Sequence, residues 1–362
     1  MAPAAIALSD ELKATSLRAK NGDFNADQTT PLKPTGALDH LESFDVTPVI
    51  GREYPRANLV ELLEAPNTDE LLTELAYTIS SRGVVFFRKQ DNLTNDLQKR
   101  LIQRLGELSG KPASSGLRIH PVLNSDGNGG EDRDPDQQIS TISSKLFKKV
   151  YGLQQDSTRS PKKQSSDQWH SDIAFEPVPA DYTSLRLTQL PKTGGDTLWA
   201  SDARGYEIYD CISTPIQKLL ESLTCTFSRP DFNEAAERGG FSIYTKPRGS
   251  PENVGERLHA HISHINDVTA EESEMFLHWF KTLLKDNHDL VVRHRWQDVN
   301  DIAIWDNRST FHNATFDFEG LGDRSGNRAV GCGERPFLDR QSRSRREALE
   351  GQEGVGNYFK IG

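Results

Sequence analysis

The chain has 362 residues, of which 35% are hydrophobic and 27% charged, and its formal net charge is -10 at pH 7. Because phosphate binding requires a concentrated basic field, this negative balance argues against a nucleic-acid partner. No stretch approaches the roughly 18 to 20 apolar residues of a membrane span, so a membrane partner is not expected either. A small molecule is the expected partner, and the composition leaves open whether the chain forms a homo-oligomer.

The length and the cysteine content favour a single large domain inside the cell. All-β and barrel-like folds often run to this length as one unit. We expect an N-terminal arm over residues 1–40, one domain over 41–340 with an inserted loop or lid at about 110–167, and a C-terminal tail over 341–362. The three cysteines are odd in number and lack zinc-site spacing, and the N-terminus lacks a secretory signal, so we predict a cytoplasmic location.

Helix and strand signals alternate after the predicted arm. Asn67-x-x-Glu70 resembles a capping box, an apolar stripe follows it, and Gly83 ends the predicted helix. The apolar run Val84 to Phe87 predicts a buried strand, and a second helix is predicted over Asn95 to Leu108. The long segment that follows is rich in Gly, Ser, Asp and Lys, which is typical of loops that close over a site.

Short strand candidates dominate the second half of the chain. They lie at 183–190, 197–200, 290–296, 302–305 and 329–331. A helix capped by Thr269-x-x-Glu272 is the one clear helix among them. The alternating residues before the turn at 298–301 and the apolar run after it predict a β-hairpin. Many short strands with flanking helices favour a mainly β sandwich or jelly roll over a parallel α/β sheet.

His170-Ser171-Asp172 is the first candidate for chemistry. On an extended strand, residues two apart point to the same side, so this pair could bind one metal ion. A distant His312 would complete a set of two histidines and one carboxylate, which suits Fe(II) and leaves coordination positions open. A His-x-Asp pair alone is a weak signal, because chance supplies one in roughly half of chains of this size, and a surface hydrogen bond would explain it equally well.

Three motifs together resemble the taurine and alkylsulfonate dioxygenase family in order and spacing. They are Trp169-His170-Ser171-Asp172, Gly194-Gly195-Asp196-Thr197-Leu198-Trp199-Ala200, and Ile302-Ala303-Ile304-Trp305-Asp306-Asn307-Arg308 followed by His312. The resemblance extends from about Arg82 to Phe337 and is patchy between Gly110 and Asp167. It implies a double-stranded β-helix, the cupin-like jelly roll. It also implies an enzyme that uses Fe(II), 2-oxoglutarate and O2 to hydroxylate a small anionic substrate, a sulfonate or a carboxylate, with release of succinate and CO2.

The resemblance also implies a role for each matching residue, with His170, Asp172 and His312 as the iron ligands. Arg324 and Thr197 would bind the distal carboxylate of 2-oxoglutarate, since a guanidinium fork can donate two parallel hydrogen bonds to it. Arg328 would face the anionic group of the substrate, and His120 would contact the same group.

Competing interpretations of the arginine and histidine candidates stay open. The two arginines could form a surface ion pair near Asp323, and Arg335 is a rival for either role. His120 could instead be satisfied by backbone groups at the junction of a loop and a strand. The tryptophans are expected in the core, with Trp169 as the one candidate for a ligand contact.

Two alternatives concern the site as a whole. A cluster of His259, His261 and His264 is a second candidate for binding metal, although further ligands are not evident there. The chain could also be a catalytically silent or sensory metal-binding jelly-roll protein, or a zinc hydrolase that uses the same triad. Because the segment from Phe241 to His264 departs from the family pattern, the identity of the substrate stays open.

Overall fold

The computed structural model describes residues 32–123, 137–146, 168–201, 208–210, 212–227, 231–255 and 262–338. Most of the predicted N-terminal arm, much of the predicted lid and the whole predicted tail lie outside these ranges, so those three predictions remain predictions. The described residues from Lys33 onward belong to one compact unit. No helix in the described part is long and apolar enough to cross a membrane.

The described elements alternate between short strands and helices. The strands are β1 (Phe44–Asp45), β2 (Arg52–Tyr54), β3 (Val84–Phe87), β4 (Ser140–Ser143), β5 (Ala180–Gln189), β6 (Thr197–Ser201), β7 (Cys225–Phe227), β8 (Ile262–Ile265), β9 (Val291–His294), β10 (Ile302–Asp306), β11 (Thr310–Ala314) and β12 (Ser325–Cys332). The helices are α1 (Leu59–Glu64), α2 (Thr68–Arg82), α3 (Asn95–Leu108), α4 (Thr214–Leu220), α5 (Asp231–Gly239) and α6 (Ala270–Asp286), and a 3-10 turn spans His288–Leu290.

A seven-stranded sheet forms the larger layer, with the strand order β1-β2-β3-β10-β5-β12-β4. Its neighbours are antiparallel except for β2 and β3, which run parallel. Strands β3 and β10 are buried along their whole length, which explains why their sequences are continuous apolar runs instead of alternating ones. Helices α2 and α3 pack on this sheet, α2 against β3 and β10 and α3 against β5 and β12.

A three-stranded antiparallel sheet of order β11-β6-β9 faces the larger one. The core between them contains side chains from both layers, including Phe86, Trp199 and Trp305. Trp199 meets Phe86 and Trp305 edge to face, with ring centroids 5.4 and 5.6 Å apart, an arrangement that aromatic pairs prefer. The described residues form facing sheets with packed helices, so the predicted sheets are present, but helices contribute as much of the structure as strands do, and the described strands do not close into a barrel.

The predicted hairpin is wrong, because β9 and β10 belong to different sheets. Strand β9 pairs with β6, whereas β10 pairs with β3 and β5. The link between them crosses from one layer to the other and is held by the buried Asp301, which accepts backbone N–H groups of Gln297 and Asp298 and pairs with Arg88 at 2.7 Å. Alternation identified the first strand and an apolar run the second, but neither pattern carries information about which sheet a strand joins.

Helix signals were confirmed in some places and wrong in others. The Thr269 capping box forms with both of its hydrogen bonds. Asn67 precedes α2 as expected, but its side chain accepts no backbone N–H and instead donates to Glu70 at 3.2 Å. The expectation of one helix among the later strands is also wrong, since α4 and α5 precede α6.

Candidate metal centre

His170 and His312 are held side by side by the backbone. His312 lies on β11, and the two residues exchange backbone hydrogen bonds of 3.1 and 2.8 Å. The chain does not continue as a strand beyond this bridge. It turns, and Ile173 adopts a φ of 48°, which is unusual for a β-branched residue. The prediction that His170 and Asp172 share an extended strand is therefore wrong, and a turn brings the two side chains together.

Asn307 fixes this turn, a role that the sequence motif alone did not reveal. Its side-chain oxygen accepts the backbone N–H of Asp172 at 3.1 Å, and its backbone oxygen accepts the Ser171 hydroxyl at 2.7 Å. Its amide nitrogen in turn donates to the Thr183 hydroxyl on β5 at 2.8 Å. Asn307 thus ties the turn that carries Asp172 to the centre of the larger sheet.

The side chains of His170, Asp172 and His312 converge, and one ligand atom from each lies within 4.8 Å of the others. The two imidazole centroids are 4.2 Å apart, and His312 Nε2 lies 4.0 Å from Asp172 Oδ2. Trp305 packs against the His312 ring at 4.9 Å. Within the described ranges this is the one such group of three metal-ligating side chains.

The donor atoms of this group fit a metal ion. Asp172 is buried and its Oδ2 has no hydrogen-bond partner among the described residues, a costly situation for a carboxylate unless a cation binds it. Burial lowers the pKa of His312 to about 3, so the imidazole is neutral and keeps a lone pair for a metal. Burial opposes ionisation of Asp172, but Arg328 and the histidines outweigh it and hold the pKa of this carboxyl well below its usual range. His170 Nδ1 contacts the Gln168 carbonyl oxygen at 2.7 Å, which leaves Nε2 for the metal.

Arg324 lies just before β12, is buried, and is held by two side-chain hydrogen bonds. Its Nε donates to the Gly195 carbonyl oxygen at 2.8 Å, and its Nη2 donates to the Thr197 hydroxyl at 3.2 Å. Gly195 has a φ of 70°, and a Cβ atom there would lie 2.9 Å from the Arg324 Cδ, so glycine is required on both counts. Burial lowers the pKa of Arg324 to about 10, which still leaves the guanidinium charged at neutral pH.

The Thr197 hydroxyl is oriented by its two donors. It accepts Nη2 of Arg324 and the indole N–H of Trp296, the latter at 3.1 Å. A hydroxyl has two acceptor lone pairs and one donor hydrogen. Both lone pairs are taken, so the hydrogen is left to donate to a ligand beside Arg324.

Arg328 lies on β12 in the larger sheet and reaches the candidate centre. Its Nη1 donates to Asp172 Oδ1 at 2.8 Å, and its Nε is buried without an acceptor among the described residues. The alternative, an ion pair of the two arginines with Asp323, is not among the described contacts of Arg324 or Arg328, and Asp323 pairs with Lys145. The rival Arg335 is exposed and pairs with Glu252.

His120 is buried, and its backbone environment selects one tautomer. Its Nδ1 accepts the backbone N–H groups of Val122 and Leu123 at 3.1 and 3.0 Å, as the alternative interpretation expected. A nitrogen that accepts cannot carry the hydrogen, so the hydrogen of the neutral ring is on Nε2. Burial lowers the pKa of His120 well below its usual value, and the nearby charge of Arg328 adds to this. Phe232 of α5 meets the ring edge to face at 5.7 Å.

The remaining sequence candidates are not among the three grouped side chains, and two of them lie outside the described residues. His264 is exposed and contacts the Ser263 hydroxyl at 2.9 Å, while its neighbours 259 and 261 are not described. Trp169 lines a cavity of about 380 Å³ together with Lys285, His288 and Arg293. Its predicted role as a ligand contact is not tested by this position.

Comparison with known proteins identifies relatives that align with most of the chain. The family model described as taurine catabolism dioxygenase TauD, TfdA family matches residues 42–330. The alpha-ketoglutarate-dependent dioxygenase btcD of Neocamarosporium betae is 47% identical, and the alignment covers 88% of this chain and 98% of the relative. The alpha-ketoglutarate-dependent dioxygenase oryG of Aspergillus oryzae is 44% identical, with 88% and 96% covered. Alpha-ketoglutarate is another name for 2-oxoglutarate.

A solved structure shares the fold at lower identity. A taurine dioxygenase from Burkholderia xenovorans superposes with a TM-score of 0.55 at 20% identity, over 84% of this chain and 94% of that structure. At this identity the likeness concerns the fold alone.

Proposed function

We propose a role for each site residue, because this chain belongs to the TauD, TfdA family and is a 2-oxoglutarate-dependent dioxygenase. In this proposal the fold is the jelly roll of its structural neighbours, and the metal is Fe(II), bound by His170, Asp172 and His312. The observation that carries the metal assignment is the buried Oδ2 of Asp172, which faces His312 Nε2 and has no donor within the described residues. Two imidazoles and one carboxylate suit Fe(II) and leave positions for other ligands.

Arg328 would hold Asp172 in place for the metal. It occupies Oδ1 of the carboxylate at 2.8 Å and leaves Oδ2 available. Some residues hydrogen-bond to a metal ligand and orient it without contacting the metal. Substitution of such a residue commonly lowers metal affinity by about 10- to 100-fold. The contact of Arg328 with Asp172 adds an orienting role to its predicted contact with the substrate.

Arg324 and Thr197 would bind the distal carboxylate of 2-oxoglutarate. The guanidinium is held from one side by the Gly195 carbonyl oxygen, and the Thr197 hydroxyl has its hydrogen left to donate. Both donors are buried, so the carboxylate would be bound away from water, where charge-assisted hydrogen bonds are strong. These contacts orient the cosubstrate before the reaction begins.

The substrate would bind on the side of the centre where His120 and Arg328 lie. The Nε2–H of His120 can donate to an anionic group, and Arg328 supplies a positive charge. When bound, Fe(II) with 2-oxoglutarate and O2 supplies the oxidising power for hydroxylation, with succinate and CO2 as the other products. The protein residues bind and orient the reactants and exclude water.

Turnover of 2-oxoglutarate tests this proposal. Purified protein with Fe(II), 2-oxoglutarate and air should form succinate, with more succinate when taurine, longer alkylsulfonates, sulfate esters or aryloxy acids include a substrate. His312→Ala should lower succinate formation by at least about 100-fold. The matched control is His264→Ala, an exposed histidine away from the centre, which should retain wild-type turnover. Equal turnover by His312→Ala and wild type would refute the assignment.

A further inference from the structure

Arg118 lies beside β12 on the side of the sheet that carries Arg328. The segment before β4 in the chain pairs with the end of β12, since Leu117 bridges Gly331 and the backbone N–H of Arg118 donates to the Val330 carbonyl oxygen at 2.8 Å. Directly opposite residues of an antiparallel pair point to the same face, and so do residues two apart on one strand. Arg118, Val330 and Arg328 therefore share one face.

The guanidinium of Arg118 is buried without an acceptor. Arg118 is 4% exposed, and its Nε and one terminal nitrogen, Nη2, have no hydrogen-bond partner in the part of the chain that the structure describes. An unpaired buried charge is costly, and proteins rarely retain one without a partner. Burial lowers the pKa of Arg118 to about 10, so it is charged at neutral pH.

The carboxylates near Arg118 are already engaged. Asp172 Oδ1 accepts Arg328, and Asp172 Oδ2 faces the candidate metal position. Both oxygens of Glu176 accept the buried Arg248, at 2.7 and 3.1 Å. Arg248 is thus a buried arginine whose charge is matched by Glu176, whereas no described carboxylate accepts a hydrogen bond from Arg118.

Arg118 lies close enough to the candidate centre for its charge to act on the residues there. Its charge acts on Asp172, on Arg328 and on His120. Apolar side chains line the same region, where Phe232 contacts both His120 and Phe175. The free donors of Arg118 are therefore placed among the residues proposed to bind substrate.

The charges of the loaded site leave an excess that a ligand must balance. Fe(II) contributes two positive charges and Asp172 one negative, while 2-oxoglutarate contributes two negative charges and Arg324 one positive. These six unit charges cancel. Arg328 and Arg118 then remain, with two positive charges in a buried region, and a singly charged sulfonate or carboxylate would neutralise only one of them.

We propose that Arg118 is a second anion-binding residue of the substrate site and that the substrate carries two negative charges there. The substrate class is a dicarboxylate or a doubly charged phosphate or phosphonate, bound between Arg118 and Arg328. This inference rests on the proposed function, since it adds a substrate class to the same site.

Binding of small probes to the anaerobic holoenzyme tests the charge preference. The protein is saturated with Fe(II) and 2-oxoglutarate, and the visible absorption band of that complex shows that the cosubstrate stays bound. Two matched pairs are titrated by calorimetry at an alkaline pH where phosphonates are doubly ionised. They are methylphosphonate against methanesulfonate and phthalate against benzoate. In at least one pair, the doubly charged member should bind roughly 10-fold tighter than the singly charged one, or more. The pair that shows this preference tells whether the substrate class is a phosphonate or a dicarboxylate.

Substitution of Arg118 separates a binding role from a structural one. Arg118→Gln should lower the affinity for the doubly charged probe by roughly 10- to 100-fold and leave the singly charged probe nearly unchanged. Arg335→Gln is the matched control, because this arginine is exposed and paired with Glu252, and it should change neither affinity. Thermal unfolding of both variants shows whether they fold.

Two results would overturn the inference. One is that wild type binds the doubly charged and the singly charged member of each probe pair with equal affinity. This result is measured on wild type alone and does not depend on the folding of a variant. The other is a folded Arg118→Gln whose probe affinities match those of wild type. Failure of the proposed function looks different, because the visible band would then be missing before any probe is added.

Discussion

Two buried arginines, Arg324 and Arg118, differ in what surrounds them. Burial lowers the pKa of each to about 10, and each is less than one tenth exposed. Arg324 donates to Gly195 and Thr197, whereas Arg118 has two nitrogens without an acceptor among the described residues. The cosubstrate end of the site is thus organised before any ligand binds, whereas the substrate end keeps donors that no described residue satisfies.

Removing the organised arginine should have the largest effect. Arg324→Gln deletes the charge that would pair with the distal carboxylate, and loss of one partner of a buried charge pair costs about 2–5 kcal/mol. We expect the Kd of 2-oxoglutarate to rise by roughly 30-fold or more. Anaerobic titration of the visible band measures it, and Arg118→Gln is the contrasting variant, which should leave this Kd within about twofold. The contrast between the two arginines fails if both variants weaken cosubstrate binding equally.

Thr197→Val should have the next largest effect on the cosubstrate. It removes the hydroxyl hydrogen that is left to donate, and a hydrogen bond to a charged group contributes about 1.5–3 kcal/mol. The same titration should show the Kd of 2-oxoglutarate raised by about 10-fold. Thr197→Ser keeps the hydroxyl and should stay near wild type. A valine variant that binds 2-oxoglutarate as tightly as wild type would contradict the role of the hydroxyl.

Gly195→Ala should weaken 2-oxoglutarate binding indirectly, through the position of Arg324. The added Cβ would meet the Arg324 side chain at 2.9 Å, and alanine at a φ of 70° is strained by roughly 1–2 kcal/mol. We expect a Kd for 2-oxoglutarate that is a few-fold higher and a lower midpoint of thermal unfolding. Gly240→Ala is the matched control, since that glycine also has a positive φ but no atom near its Cβ position. An unchanged Kd in a destabilised Gly195→Ala would remove Gly195 from the set that positions Arg324.

Asp181→Asn should change pH-dependent stability without affecting either end of the site. Burial raises the pKa of Asp181 to about 6 from 3.8, so between these values the folded state holds a proton that the unfolded state has released. The contribution of Asp181 to the free energy of unfolding is therefore fully present below about pH 4 and is lost as the pH rises through about 6. The free energy of unfolding falls by at most about 1.4 kcal/mol per pH unit in this range. Urea unfolding across this range should show a smaller decline for Asp181→Asn. Asp298→Asn, at an exposed carboxylate beside Lys89, should keep the wild-type decline, and identical curves for Asp181→Asn and wild type would contradict the assignment.

Local signals predicted the elements whose causes are local. The helix from Asn95 to Leu108 and the strand from Val84 to Phe87 were predicted with the observed bounds, because a cap, a stripe or an apolar run lies within each segment. The hairpin of β9 and β10 failed because pairing partners are set by distant segments. Strand β11, which carries His312, was not predicted, since its five residues contain little alternation.

The features of the site likewise divide into those that sequence motifs predicted and those that depend on three-dimensional structure. Family motifs identified His170, Asp172, His312 and Arg324 as candidates, and the structure brings the first three together. Motifs did not predict the turn at Ile173 or the orienting contacts of Asn307, because both depend on backbone geometry. Arg118 carried no signal of its own, since its proposed role rests on donors that lack an acceptor among the described residues, which only three-dimensional packing reveals.

Iron binding by the triad is the most direct test of the central claim, that His170, Asp172 and His312 hold the metal of a 2-oxoglutarate-dependent dioxygenase. Anaerobic equilibrium dialysis with Fe(II), followed by 2-oxoglutarate, measures bound iron and the visible band on the same sample. Wild type should bind one iron per chain and develop the band, whereas Asp172→Ala and His312→Ala should bind little iron and show no band. Full iron binding and an intact band in folded Asp172→Ala or His312→Ala would contradict the account.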